Sequence, residues 1–123
     1  MAVYTPRSIY KFARDGDANE LSVALSQTNN TINWYRDDNY GDTAFHRAAM
    51  NGHLKCVRVL LEKGVDINIT NNNGLTSFHY AAGHKHLNII EVLLESGIDM
   101  NIKDNDGDTG SIIINIIHFI TQL

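Results

Sequence analysis

The 123-residue chain is poor in three things: cysteine, long apolar runs and positive charge. Its one cysteine, Cys56, cannot close an internal disulfide. No apolar run reaches the ~18–20 residues that a membrane span requires, so membrane insertion is not expected. Ten Lys and Arg stand against fourteen Asp and Glu, a formal net charge of -4. A nucleic-acid binder needs clustered cations to neutralise phosphates, so that partner class is not expected either. Met1–Pro6 lacks the charged-then-apolar pattern of a secretory signal. The sequons at Asn29 and Asn68 are therefore expected to stay unmodified, in a reduced cytoplasmic or nuclear protein. What is present suits one compact soluble domain over 1–123: 43% hydrophobic residues rule out a disordered tail, and the length is that of a single unit.

The chain also repeats itself. "GDTAFHRAAMNGHLKCVRVLLEKGVDIN", Gly41–Asn68, is followed by "GLTSFHYAAGHKHLNIIEVLLESGIDMN", Gly74–Asn101. Thr43, Thr76 and Thr109 are 33 residues apart, as are Gly41, Gly74 and Gly107. The pairs His46/His79, Ala48/Ala81, Leu60/Leu93, Gly64/Gly97, Asp66/Asp99 and Asn68/Asn101 keep the same step. Each residue type has a local reason. Thr43 and Thr76 suit helix N-caps, whose hydroxyls accept the backbone N–H three residues on, at His46 and His79. Ala48-Ala49 and Ala81-Ala82 let a short first helix pack closely. Leu54, Val57, Leu60 and Leu61, matched by Leu87, Ile90, Leu93 and Leu94, form the apolar stripe of a second helix. Gly64 and Gly97 then supply a left-handed helix stop. "VDINITNNNG" and "IDMNIKDNDG" read as extended arms meeting in a turn. One such unit cannot bury its apolar face alone, whereas stacked copies can.

A period of 33 residues carrying T-x-x-H-x-A, followed by G-x-D-x-N, resembles the ankyrin repeat. The resemblance implies an all-α repeat solenoid: helix-turn-helix units with β-turn or hairpin fingers, about three and a half of them. The expected boundaries are a degenerate N-terminal cap at 6–38, repeats at 39–71 and 72–104, and a partial, atypical repeat at 105–123. "FARDGDANELSVAL", Phe12–Leu25, aligns with Ala48–Leu61 at an offset of 36, and its outward Lys11, Arg14, Asp15, Asp17, Asn19 and Glu20 suit a solvated cap. The usual Pro after the capping Thr is replaced by Ala44, Ser77 and Gly110. Lys85 stands where the preceding copy has Gly52, so strain is expected in that turn if φ is positive. At the other end "GSIIINIIHFITQL" carries no second helix pattern. It is read as a cap, as a truncated or alternatively spliced end, or as a surface for self-association.

Functional motifs are scarce. "HKH" at His84–His86 invites a metal, yet no Cys or carboxylate joins it at ligand spacing. The resemblance makes the four histidines of the repeats (His46, His53, His79 and His86) internal hydrogen-bonding groups. "DNDGD" at Asp104–Asp108 resembles a calcium loop, but Thr109 replaces its sixth-position Gly and Asn115 its twelfth-position Glu. Cys56 has no base at a motif-defined spacing, and no phosphate loop or paired-carboxylate signature is present. No metal, cofactor or catalytic residue is expected. Thr43, His46, Gly52, Gly64, Thr76, His79 and Gly97 are expected to be structural.

The resemblance implies a protein partner. Positions that differ between the copies, while core positions repeat, are free to encode it: Tyr40/Asn73, Asp42/Leu75, Arg47/Tyr80 and Met50/Gly83. With the aromatic arm residues Trp34 and Tyr35, and His84 just after a first helix, these form the candidate site. It spans the fingers and first helices of the second and third units, and its residue types favour interfaces. The carboxylates Asp37, Asp38, Asp42, Asp104, Asp106 and Asp108 suggest a partner with basic patches. Asn68 and Asn101 resemble repeat asparagines that some family members carry hydroxylated. The alternative function is that of a regulatory fragment of a larger enzyme or channel.

Overall fold

The computed structural model describes residues 4–27, 35–107 and 122. Six helices follow one another in three pairs: α1 (Pro6–Asp15) with α2 (Ala18–Ser26), α3 (Ala44–Met50) with α4 (Leu54–Glu62), and α5 (Ser77–Gly83) with α6 (Leu87–Glu95). No strand occurs among the described residues.

The first helices start on a shared device. Thr43 and Thr76 lie in extended backbone, and their hydroxyls accept from the N–H of His46 and His79. In return the ring Nδ1 of each histidine accepts the threonine N–H at 3.0 Å. This reciprocal cap satisfies two donors that a helix end leaves orphaned. The first unit caps differently, and earlier, than the offset of 36 implies. Thr5 is the cap of α1, Pro6 follows it, and Ser8 closes the box. The chain's one proline thus occupies the first helical position, where its fixed φ and missing N–H cost nothing.

The units stack through equivalent positions. Ile9, Phe45 and Phe78 are at most 1% exposed, and so are the second-helix residues Leu21, Val57 and Ile90. Burying each such side chain is worth about 1.5–3 kcal/mol, and three units together build one continuous core. Ala13, Ala48, Ala49, Ala81 and Ala82 let the first helices approach one another more closely than the second helices do. A stack tighter on one side curves toward it, so α1, α3 and α5 line the concave face and α2, α4 and α6 the convex one.

The second helices dock by a ring-on-glycine contact. His53 and His86 donate from Nε2 to the carbonyls of Arg14 and Met50 in the preceding unit, at 3.0 and 2.9 Å. Their rings cover Gly16 and Gly52, both at positive φ, so closely that a Cβ there would come within 2.7–2.8 Å. Lys85 takes the corresponding place in the third unit at φ 61°, the one non-glycine residue with positive φ among those described. The strain expected from its sequence position is present.

Candidate partner-binding face

The turns between units form fingers that hold one another. Asp37 donates its N–H to the Asp42 carbonyl, and Asn71 to that of Leu75, closing two of them. Successive fingers are tied by Asn72 N–H to the Tyr40 carbonyl and Asn105 N–H to the Asn73 carbonyl, at 2.9 and 2.8 Å. Asn71 shapes its own turn as well, its Oδ1 accepting from the N–H of Asn73 and Leu75.

The structure corrects the reading of Asp42 as a partner-facing carboxylate. It is fully buried. Its oxygens accept from the Tyr80 hydroxyl at 2.9 and 3.0 Å and from Asn71 Nδ2 at 2.9 Å. A buried carboxylate is tolerated only when hydrogen-bonded, and of these donors Tyr80 comes from the next unit. Asp42 and Tyr80 therefore clamp the second unit to the third. Burial first, and then the bond to Asp42, push the Tyr80 phenol well above its ordinary range.

His46 lies beneath this clamp, edge-on to the Tyr80 ring at 5.9 Å. Its Nδ1 accepts from Thr43, so the proton sits on Nε2, which donates to the carbonyls of Ile69 (3.1 Å) and Leu75 (3.0 Å). Burial pushes its pKa down, against the opposing field of Asp42. A ring with both nitrogens engaged is a structural group, and His53 and His86 are likewise spent on backbone carbonyls. Among the described residues no three His, Cys, Asp or Glu side chains converge on a metal-sized site. The Cys56 thiol is buried in α4 and pushed up to about 11 by that burial, which leaves it a poor nucleophile.

The remaining candidates divide by exposure. Tyr40, at a finger tip, is 54% exposed. Arg47, Met50 and Tyr80 are half-buried on the concave face, and His84 is exposed just beyond α5, its ring stacked on His86. Arg47 Nη1 rests on the Met50 sulfur at 3.4 Å, while its Nε is buried with no partner. Leu75 is half-buried at the base of a finger. Tyr35 packs edge-on against Tyr10 at 5.1 Å. Asn68 is half-buried and accepts from the N–H of Asp99 at 2.9 Å, tying two fingers, whereas Asn101 is exposed. Trp34, Asp108 and the Ile-rich tail lie outside the described residues.

Reading the first unit only as a solvated cap did not single out the cationic face of α1 as a candidate site. Its Arg7, Lys11 and Arg14 border a cleft of about 670 Å³, closed opposite by Tyr35, Asp37 and Asp38 of the first finger. The signal was in the sequence: cations at steps of four and three residues share one helical face. Tyr10, beneath them, donates to Asp37 at 2.8 Å and is pushed up to about 12, by burial first and then by that bond. Burial alone would raise the Asp37 carboxyl. The Tyr10 bond and the N–H groups of Tyr40, Asp42 and Asn39 outweigh it and hold the carboxyl below its usual range. Asp37 is thus largely spent inside the protein.

Comparison with known proteins agrees with this architecture. The family model described as "Ankyrin repeats (3 copies)" matches residues 9–104. Inversin from Danio rerio is 34% identical over 58 residues, 47% of this chain and 6% of the relative. Cortactin-binding protein 2 from Ornithorhynchus anatinus is 35% identical over 63 residues, 51% of this chain and 4% of the relative. Notch-regulated ankyrin repeat-containing protein from Xenopus laevis is 32% identical over 71 residues, 57% of this chain and 62% of the relative. The chain thus spans a small fraction of the first two relatives and just under two thirds of the third. The matched model, the 33-residue units and their reciprocal caps agree: the chain belongs to the ankyrin repeat family.

Proposed function

We propose that this chain is a non-catalytic protein-interaction module, an adaptor, scaffold or inhibitor, that docks a protein partner across its fingers and concave first helices. Ankyrin repeats are generally protein–protein interaction modules. One observation carries the choice of face. The positions that differ between the second and third units include exposed Tyr40 and half-exposed Arg47 and Met50, residue types that interfaces favour, while the core positions repeat. A residue needed only for stacking has reason to recur; these do not. Two differing positions, Asp42 and Tyr80, serve the inter-unit clamp instead, so the recognition set contracts to Tyr35, Tyr40, Arg47, Met50 and His84. A reducing cytoplasmic or nuclear setting suits one buried thiol.

The test is a pull-down from cell extract with the full chain and with a Tyr40→Ala/Arg47→Ala control, each checked for fold by circular dichroism. Support is a protein captured by the first and lost from the second. Capture that is equal with both would move the site to another surface. A regulatory piece of a larger protein is the second reading, favoured by how little of Inversin and Cortactin-binding protein 2 the chain spans. Its discriminator is whether the native transcript continues the 33-residue register after Thr109. Self-association through the Ile-rich tail belongs to the proposal too, read by light scattering with and without Ser111–Leu123.

A further inference from the structure

The first-helix face is cationic in a chain of net charge -4. Helices α1, α3 and α5 carry Arg7, Lys11, Arg14 and Arg47 against one carboxylate, Asp15, and Asp15 is held by Arg14 through bonds of 2.9 and 3.3 Å. Three of these cations stand on α1, beside the cleft closed by the first finger. Two of them are set on aromatic rings. The Arg7 guanidinium lies 5.7 Å over Tyr35, that of Arg14 6.0 Å over Tyr10, and the two rings meet at 5.1 Å. A guanidinium resting on a ring is fixed in orientation before any ligand arrives, which lowers the entropy lost on binding. Among the described residues no carboxylate forms an ion pair with Arg7 or Lys11; Lys11 acts on Asp15 only at longer range.

On the far wall, Asp37 is spent on Tyr10 and on the N–H groups of Tyr40 and Asp42. Asp38 is exposed at the turn. The unspent charge on the α1 wall is therefore positive. We propose that this cleft takes an acidic segment of the partner protein, its carboxylates seated on Arg7 and Lys11. The spacing names the pattern. Residues four apart on a helix rise about 6 Å, and alternate side chains of an extended strand are about 6.6 Å apart. An extended segment with Glu or Asp at alternate positions therefore meets both cations. This goes further than the module reading, on which it rests, by assigning the partner's chemistry and moving one contact to the first unit. It reverses, for this cleft, the basic-partner expectation drawn from the finger carboxylates.

The probe is a fluorescein-labelled peptide of about ten residues with Glu at alternate positions and Thr between, titrated with the full chain at low salt and followed by anisotropy. Matching peptides carry Gln or Lys in place of Glu. The Glu peptide binds more tightly than the Gln peptide. Arg7→Gln/Lys11→Gln weakens it by about fivefold or more, the combined worth of two exposed charge pairs, and Lys55→Gln/Arg58→Gln on the convex face leaves it unchanged. Salt weakens the wild-type complex. Equal binding of Glu and Gln peptides, indifference to Arg7→Gln/Lys11→Gln, or preference for the Lys peptide overturns the assignment. So does a single-stranded oligonucleotide that binds more tightly than the Glu peptide with the same dependence on Arg7 and Lys11. None of these results touches the module reading, whose docking face is tested separately at Tyr40 and Arg47.

Discussion

At the scale of single residues, the repeats are held in register by a few polar groups that face one another. Asp42 and Tyr80 are 38 positions apart and meet in a buried bond. Tyr80→Phe removes a donor from both carboxylate oxygens and leaves Asn71 alone to satisfy them. The expected cost is about 1–3 kcal/mol in urea unfolding. A double-mutant cycle with Asp42→Asn should return a coupling above ~0.5 kcal/mol, and additive losses would refute the clamp. His46 gives the pH dependence. Its folded pKa lies below the unfolded value of about 6.5, so between the two the unfolded chain binds more protons. Its contribution is fully present above about pH 6.5 and is lost as pH falls toward the folded pKa. Urea midpoints measured from pH 7.5 down to 5 should be flat and then fall. A His46→Gln variant should fall less steeply, and parallel profiles would exclude His46 as the source.

These residue roles were only partly legible. His46 declared itself through T-x-x-H, a local pattern. Asp42 did not: a carboxylate beside a Gly in a turn looks solvent-facing in one dimension, and the partner that buries it lies one repeat away.

At the scale of elements, the helices were readable wherever both cap and stop are local. Thr43, Gly64, Thr76 and Gly97 bound their units as the sequence implied, with Gly64 and Gly97 at φ 90° and 87°. The first helix was placed less well. Alignment to the second unit begins it near the register of Thr43, whereas Thr5, Pro6 and Ser8 begin it sooner and lengthen it to 10 residues. The two residues added at its start are Pro6 and Arg7. Helix docking gives a matched pair of expectations at the inter-helix turn. Lys85→Gly releases a side chain from φ 61° and should stabilise by about 1 kcal/mol, seen as a melting midpoint a few degrees higher. Gly52→Ala does the reverse: it strains a residue at φ 77° and drives a Cβ to within 2.8 Å of the His86 ring. A loss of about 1–3 kcal/mol is expected. An unchanged midpoint in Gly52→Ala would show that the ring is not held on the glycine.

At the scale of the molecule, function follows from a division of labour between buried and outward positions. The buried set is nearly periodic because each unit solves the same stacking problem with Phe45 or Phe78, Leu60 or Leu93. The outward set is not periodic: it includes the concave side and the finger tips, and convex positions such as Lys55/Asn88 and Arg58/Glu91 as well. That much was visible by comparing the two copies. What no comparison of copies supplies is the first unit's contribution, because Arg7, Tyr10 and Tyr35 have no counterpart in the clean repeats and become a surface only when α1 packs beside the first finger. The direct measurement is the affinity of a captured partner, by calorimetry, for four single variants that keep the wild-type circular dichroism spectrum. Tyr40→Ala and Arg47→Ala on the finger and concave face should each weaken binding by about 1–3 kcal/mol. Lys55→Ala and Glu91→Ala, exposed on the convex helices α4 and α6, should leave it unchanged. Loss of binding in the convex pair with full affinity in Tyr40→Ala and Arg47→Ala would contradict the account.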